Sequence, residues 1–227
     1  MKELVFNQYK DSYRYNSDSL LLSNFILEEN LKGDVLDIGC GCGIVGIILK
    51  SNFPNISLNL LDIQEKNITL CKLNLLKNEI NANVFYSDFL KFDVDMKFDF
   101  LVSNPPFYRD GAQNSKSEHK NISKFEKFLP LDLFVKKVNS LIKPNGNFYF
   151  CYESLAFSRI CLVLQKYKFY IDKACFVHSD LNKNARLVLI KAKKGSNAIN
   201  KISPPIFTKN IINDINNKFK VKSVDIQ

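Results

Sequence analysis

The chain has 227 residues, 46% hydrophobic and 24% charged. That balance excludes wholesale disorder, and the length allows one large domain or one domain with a small appendage. Thirty-two Lys and Arg against 23 Asp and Glu leave a net charge of +9, which favours a polyanionic partner, nucleic acid first; with only four Arg among those cations, a general Lys- and Asn-rich composition is the alternative source of the surplus. No run approaches the roughly 18–20 apolar residues of a membrane span. The opening MKELVFNQYKDSYRY is polar and has no apolar signal core, so a cytoplasmic protein without membrane contact is expected.

DSLLLSNFILEE carries leucines at helical spacing and predicts a helix from about 18 to 30, capped by Ser17 or its neighbour. GDVLDIG reads as a short buried strand ending near Ile38, residues 39–43 as a turn, and IVGIILKSN as an apolar helix. Strand ISLNLLDI, helix QEKNITLCKLNLLKNE and strands NANVFYSDF and FDFLVSNPPF follow, the last stopped by two prolines that cannot continue a ladder. A polar loop leads into the helix LDLFVKKVNSLI; then come strand NFYFCYE, helix LAFSRICLVLQKY and two closing strands near 169–178 and 186–192. This order predicts an α/β fold, a doubly wound, Rossmann-like, mostly parallel sheet with an antiparallel C-terminal hairpin. The expected division is a domain over 1–195, with a helical extension at about 1–31, and a small appendage or tail over 196–227 with INDINNKF weakly helical.

The six cysteines form no CxxC pair and there are only two histidines, so no metal site is expected and the thiols read as small buried residues in a reducing compartment. DIGCGCGIVG follows a strand and opens a helix; its glycines permit a tight turn and let a ligand lie against bare main chain. Gly41, Gly43 and Gly46 match GxGxxG and Asp62 lies 21 residues after Gly41, which alone suggests NAD. Asp37, two residues before Gly39, instead suits a cationic amino group. Gly39, Gly41 and Gly43 space as GxGxG, and Asp88 ends a third strand where an adenine amine could be read.

In these residues the chain resembles class I methyltransferases. The resemblance implies S-adenosylmethionine as cofactor, with Asp37, Gly39, Gly41 and Gly43 at its methionine end, Asp62 and Ile63 at the ribose, and Asp88 and Phe89 framing the adenine. Asn104-Pro105-Pro106-Phe107 leaves the fourth strand beside that crevice. A conjugated amine nitrogen is a poor nucleophile, so acceptors on both its N–H groups are needed to aim its lone pair. The Asn104 side-chain oxygen and the Pro105 carbonyl are the candidate acceptors, Pro106 the rigid support and Phe107 a flat stacking face; Asn104 also borders the cofactor site.

Gln8, Tyr13-Arg14-Tyr15, Ser17-Asp18-Ser19, Glu118-His119, His178, Asn184-Ala185-Arg186 and Pro205-Ile206 look like the bacterial tRNA adenine-N6 methyltransferase family, which modifies the adenine beside the anticodon of a valine tRNA. That resemblance implies tRNA as partner, a monomer, and Tyr13, Arg14, Phe107, His119 and Arg186 as substrate contacts; Lys191, Lys193 and Lys194 are further phosphate candidates. Tyr13 to Tyr15 serve equally as a surface for splayed bases or as a helix-entry staple, and His178 as core or substrate contact. The alternative activity is glutamine-N5 methylation of a release factor, which shares Asn-Pro-Pro but usually carries Tyr at the fourth place. A non-catalytic RNA binder and an NAD-dependent oxidoreductase are the remaining readings.

Overall fold

The computed structural model describes residues 3–10, 14–108, 118–195, 200–209, 215 and 218–226. In chain order the elements are β1 (Glu3–Tyr9), α1 (Ser17–Ile26), β2 (Gly33–Ile38), α2 (Ile44–Asn52), β3 (Ile56–Asp62), α3 (Glu65–Asn78), β4 (Asn83–Tyr86) and β5 (Phe98–Ser103). They continue with α4 (Glu118–Ile122), α5 (Leu131–Leu141), β6 (Ile142–Glu153), α6 (Phe157–Lys166), β7 (Phe169–His178), β8 (Ala185–Lys194), β9 (Lys201–Ile202), β10 (Ile206–Phe207) and β11 (Lys220–Ile226).

The main sheet runs β10-β7-β8-β6-β5-β2-β3-β4, with β9 also on β7. Strands β2 to β6 pair in parallel, and β8 lies antiparallel between β6 and β7. Five consecutive residues of β6, Phe148 to Tyr152, are at most 1% exposed, because helices cover both faces of the sheet. β2 pairs with β3 on one side and β5 on the other. The strand order reverses there, and such a switch point opens a crevice at the strands' carboxyl ends.

Helix α1 starts where expected: Asn16, the neighbour of Ser17, accepts from the Asp18 and Ser19 amides at 3.0 and 3.4 Å. It ends at Ile26 and not near 30. Glu28 and Glu29 turn out of the helical stripe to pair with Lys173 and Lys191.

The N-terminal segment departs from the helical extension read in the sequence. Before α1 comes strand β1, with Leu4, Phe6 and Gln8 buried on alternate positions, the period of a strand. It pairs in parallel with β11, Glu3 opposite Lys220. Its other edge is closed by asparagines of α3: the Asn78 side chain accepts from Val5 N and donates to Val5 O at 2.9 and 2.8 Å. Asn74 does the same for Asn7 at 2.7 and 3.2 Å, so two carboxamides satisfy backbone groups that an edge strand would leave to water. Of residues 196–227, expected as an appendage or tail, the described ones include β9 and β10, which lie on β7, and β11, which lies on β1. Most of the helix expected in INDINNKF lies outside the described residues.

Gly46 fixes how closely α2 approaches the sheet. A Cβ there would lie 2.5 Å from Leu60 Cδ2, 3.1 Å from Leu58 Cδ1 and 3.2 Å from Asp37 Oδ2. Alanine would gain about 1 kcal/mol of helix propensity, but overpacking against the buried Leu60 costs about 1–3 kcal/mol. Gly46→Ala is therefore expected to lower the thermal midpoint; an unchanged or raised midpoint would show that the helix can move away freely.

Candidate active site

The glycine turn sits at the end of β2. Gly39, Gly41 and Gly43 have φ of 68°, 56° and 84°, left-handed values that L side chains rarely adopt. A Cβ at Gly39 or Gly41 would meet nothing within 4 Å, so bare main chain faces open space there. The Gly39 and Cys40 amides donate to Leu61 O at 2.8 and 3.0 Å, binding the turn to the end of β3.

Asp62 completes that attachment. It is 5% exposed; Oδ2 accepts from Gly41 N at 2.9 Å, and Oδ1 accepts from Gln64 N at 2.8 Å and Asn67 Nδ2 at 3.1 Å. Burial pushes its carboxyl up against these stabilising bonds. Asp88 accepts from Leu90 N at 2.9 Å and closes its own turn, while Phe89 beneath it is buried. Ile63 is 47% exposed.

Gly39, Asp62, Ile63, Asp88, Phe89 and Asn104 line one open cleft, a concave, mostly apolar place with a few convergent polar groups. A smaller recess adjoins it, walled by Tyr15, Ser19, Asp37, Cys42 and Asn104. A third slot runs along Asn104 to Tyr108 with Asn16, Ser123 and Lys124. Asn104 lines all three.

Asp37 is 1% exposed and accepts from Gly46 N at 2.9 Å. Burial pushes its carboxyl from 3.8 up to about 7; the Gly46 N–H opposes this and the nearby Asp62 adds to it. The folded state thus holds a proton that the unfolded chain releases. The stability that Asp37 contributes is fully present below about pH 4 and is lost as pH rises through about 7. Asp37→Asn is expected to flatten that slope in thermal melts between these limits; an unaltered slope would assign it to another group.

The thiols in the turn are inert. Cys40 shares a hydrogen bond with Cys71, which with burial raises it well above its ordinary value, and burial pushes Cys42 up to about 12, so neither is a ready thiolate.

Asn104 stands at the end of β5, next to the end of β2, where Ser103 Oγ donates to Ile38 O at 2.8 Å. Its Nδ2 donates to Ser19 Oγ at 3.0 Å and its Oδ1 accepts from the Cys151 thiol at 2.9 Å. The expected role of Phe107 as an open stacking face changes: it is 8% exposed, between the Tyr108 and Tyr152 rings at centroid distances of 5.2 and 5.5 Å. Tyr108, 47% exposed, carries the open ring of this group. Hydrogen bonds to Lys124 O and from Glu126 N, both 2.9 Å, pin its backbone.

The outer residues split. Tyr13 lies outside the described residues, as does the loop 109–117. His119 on α4 donates from Nε2 to Asn67 Oδ1 at 3.0 Å, which continues through Asn67 to Asp62; burial, then Lys66 and Lys120, lower its pKa. His119 is thus tied to Asn67 in the lining of the large cleft. Arg14 pairs with Asp225 of β11 at 2.8 Å, and Tyr15, a wall of the recess, stands edge-on to Phe6 of β1 with its hydroxyl 2.6 Å from Ser223 of β11.

Arg186 is drawn inward by the buried Asp18 at 2.8 Å. Lys191 is held by Glu29 and Asp172, and Lys194 donates to Asn139 O and Ile142 O. These cations answer internal partners first, which their sequence neighbours could not indicate. His178 is half-buried, bonded to Lys183 O and set against Phe207. Ser19, Asn67 and Cys151 join the site without a sequence-based role: Ser19 stands in the Ser17-Asp18-Ser19 motif but with no contact assigned, Asn67 and Cys151 stand in none, and only the fold brings them to Asn104, His119 and Asp62.

Residues 15–132 match the methyltransferase small domain family. The chain belongs to that family. The match covers 118 of its 227 residues. A ribosomal RNA small subunit methyltransferase C of Haemophilus ducreyi is 44% identical over 91 residues, 40% of this chain but 27% of that protein. A release factor glutamine methyltransferase of Flavobacterium psychrophilum is 30% identical over 187 residues, 74% of this chain and 64% of that one. This chain therefore spans less than two thirds of either relative.

The fold is similar to a predicted O-methyltransferase of Agrobacterium tumefaciens, with TM-score 0.68, 13% identity, and 92% and 100% of the two chains covered. It is also similar to the T. thermophilus 16S rRNA N2 methyltransferase solved with AdoMet and guanosine, with TM-score 0.59, 20% identity, and 82% and 45% covered. The Rossmann-like methyltransferase fold expected from the sequence is thus the observed one.

The cofactor of this methyltransferase domain is S-adenosylmethionine, and the cleft suits it. Two glycines turn bare backbone toward open space, and carboxylates stand at three neighbouring strand ends. Among the described residues no group of His, Cys, Asp and Glu could hold a metal ion, and no helix is long and apolar enough to cross a membrane.

Proposed function

We propose that this chain methylates a conjugated exocyclic nitrogen, the N6 of an adenine in a tRNA anticodon loop. The observation that carries this reading is the position of Asn104 at the junction of the cleft, the recess and the slot. A group presented there meets the cofactor side and the substrate side at once. Bound S-adenosylmethionine supplies an electrophilic methyl group.

Asp37 and Gly39 take its methionine end, directly or through water, with Gly41 and Gly43 shaping the turn. Asp62 and Ile63 meet the ribose, and Asp88 with Phe89 frames the adenine. On the substrate side, Asn104 Oδ1 and the Pro105 carbonyl accept the two N–H groups of the target amine and aim its lone pair. Pro105 and Pro106 keep both acceptors in place, and the proton leaves to water after transfer. The ring available for a flipped base is that of Tyr108, backed by Phe107. Arg14 and His119 remain candidate RNA contacts, while Arg186 acts by setting the position of Asp18.

The net charge of +9 supports a phosphate-rich partner. The longer of the two alignments, to the release factor enzyme, supports the glutamine alternative. The test is incubation of the full chain with labelled S-adenosylmethionine, tRNA lacking the modification and, separately, a release factor. Labelled N6-methyladenosine in tRNA is the expected product. Label as N2-methylguanosine would replace the base, and label only in the release factor would replace the substrate class.

A further inference from the structure

We propose that Ser19 and Cys151 are positioning residues that fix the plane of the Asn104 carboxamide. The inference deepens the proposed methyl transfer and rests on it. Asn104 leaves β5 on a single Cα–Cβ bond, and nothing in Asn-Pro-Pro itself sets the rotation of its amide. The two ends of that amide are held by two other elements. Ser19 Oγ, in the first turn of α1, takes the Nδ2 hydrogen at 3.0 Å; Cys151 Sγ, in β6, gives its hydrogen to Oδ1 at 2.9 Å. With both ends held, the carboxamide cannot turn about its last bond without breaking a hydrogen bond.

A carboxamide oxygen has two lone pairs, so the bond from Cys151 leaves one to face the amine. Cys151 is 0% exposed and its thiol is pushed well above its ordinary value by burial, so it stays a donor. Ser19 is held in turn: Asn16 caps the Ser19 amide, and the neighbouring Asp18 is tied to Arg186 of β8 at 2.8 Å. α1 and β6 therefore meet at the one side chain that ends β5, and β8 holds α1 in place through Arg186. A thiol that only filled core volume could bond a backbone oxygen or nothing; here it meets the amide that borders all three cavities.

The experiment compares Ser19→Ala and Cys151→Val, which remove the hydrogen-bonding groups, with Ser19→Thr and Cys151→Ser, which retain them. Valine keeps an apolar volume, so loss of packing is separated from loss of the bond. The first pair is expected to lose about 10- to 100-fold in kcat, the scale for small misplacement of a reacting group, with cofactor affinity unchanged by calorimetry. The retaining variants are expected to recover most of that loss. Neither substitution should add to the loss in an Asn104→Ala background, because the residue it acts through is gone.

A second readout does not depend on which substrate turns over. In isotope-labelled protein the Asn104 side-chain amide protons are expected to shift and to exchange faster with solvent in Ser19→Ala and Cys151→Val. Normal kcat in both, a loss carried by cofactor affinity, or losses that add fully to Asn104→Ala would overturn the clamp. Unmoved Asn104 amide resonances would overturn it as well. Absence of methyl transfer to any nucleobase by the unmodified chain would overturn the RNA reading and leave the amide resonances to judge the clamp.

Discussion

Asn104→Ala is expected to remove turnover by roughly 10²–10³-fold in kcat while S-adenosylmethionine still binds. That is the scale for deleting one preorganised polar group aimed at the reacting centre. The truncated chain keeps Pro105, Pro106 and the whole glycine turn. The turn is attached to β3 through Leu61 and Asp62, not through Asn104. Calorimetry with the cofactor and single-turnover kinetics with RNA separate the two effects. Turnover near that of the unmodified chain would remove amine positioning as the mechanism.

Asp62→Ala should act on the other half of the reaction. Asp62 accepts three hydrogen bonds, from Gly41, Gln64 and Asn67. Its loss frees the turn and leaves buried donors without partners, at about 1–3 kcal/mol for a group left unsatisfied. Cofactor affinity is expected to fall by about 5- to 150-fold, because the site must then order its own wall upon binding. His119 also loses its anchor through Asn67, so its pKa should move in an NMR titration. Unaltered affinity would show that the main-chain bonds to Leu61 hold the turn alone. Beside the ribose role that the resemblance implies, the fold gives the same carboxylate a structural task.

The parallel core was legible because its determinants are local. β2 and β3 are buried almost throughout and carry their apolar residues in short clusters bounded by turn residues, and α2 and α5 begin where their apolar periods begin. The acceptors at the strand ends were legible because glycine and carboxylate chemistry there follows one backbone turn. What escaped was set by contacts distant in sequence. β1 looked polar because Glu3, Asn7 and Gln8 hid its alternation, and what stabilises it is β11 and two asparagines of α3. Lys191 and Arg186 looked like free cations because Glu29, Asp172 and Asp18 are remote from them in sequence. Phe107 looked open because its cover, Tyr152, comes from β6.

The pairing of β1 with β11 also sets a time order. The Tyr15 wall of the recess is braced by Ser223, 208 residues later in the chain. At about 5–20 residues per second of synthesis, that brace arrives roughly 10–40 s after Tyr15 itself. The β2–β3–α3 unit, whose partners are near in sequence, can have folded by then. During synthesis the glycine turn therefore exists before one wall of its recess is braced, and β11, made long after β1, is the strand that secures it.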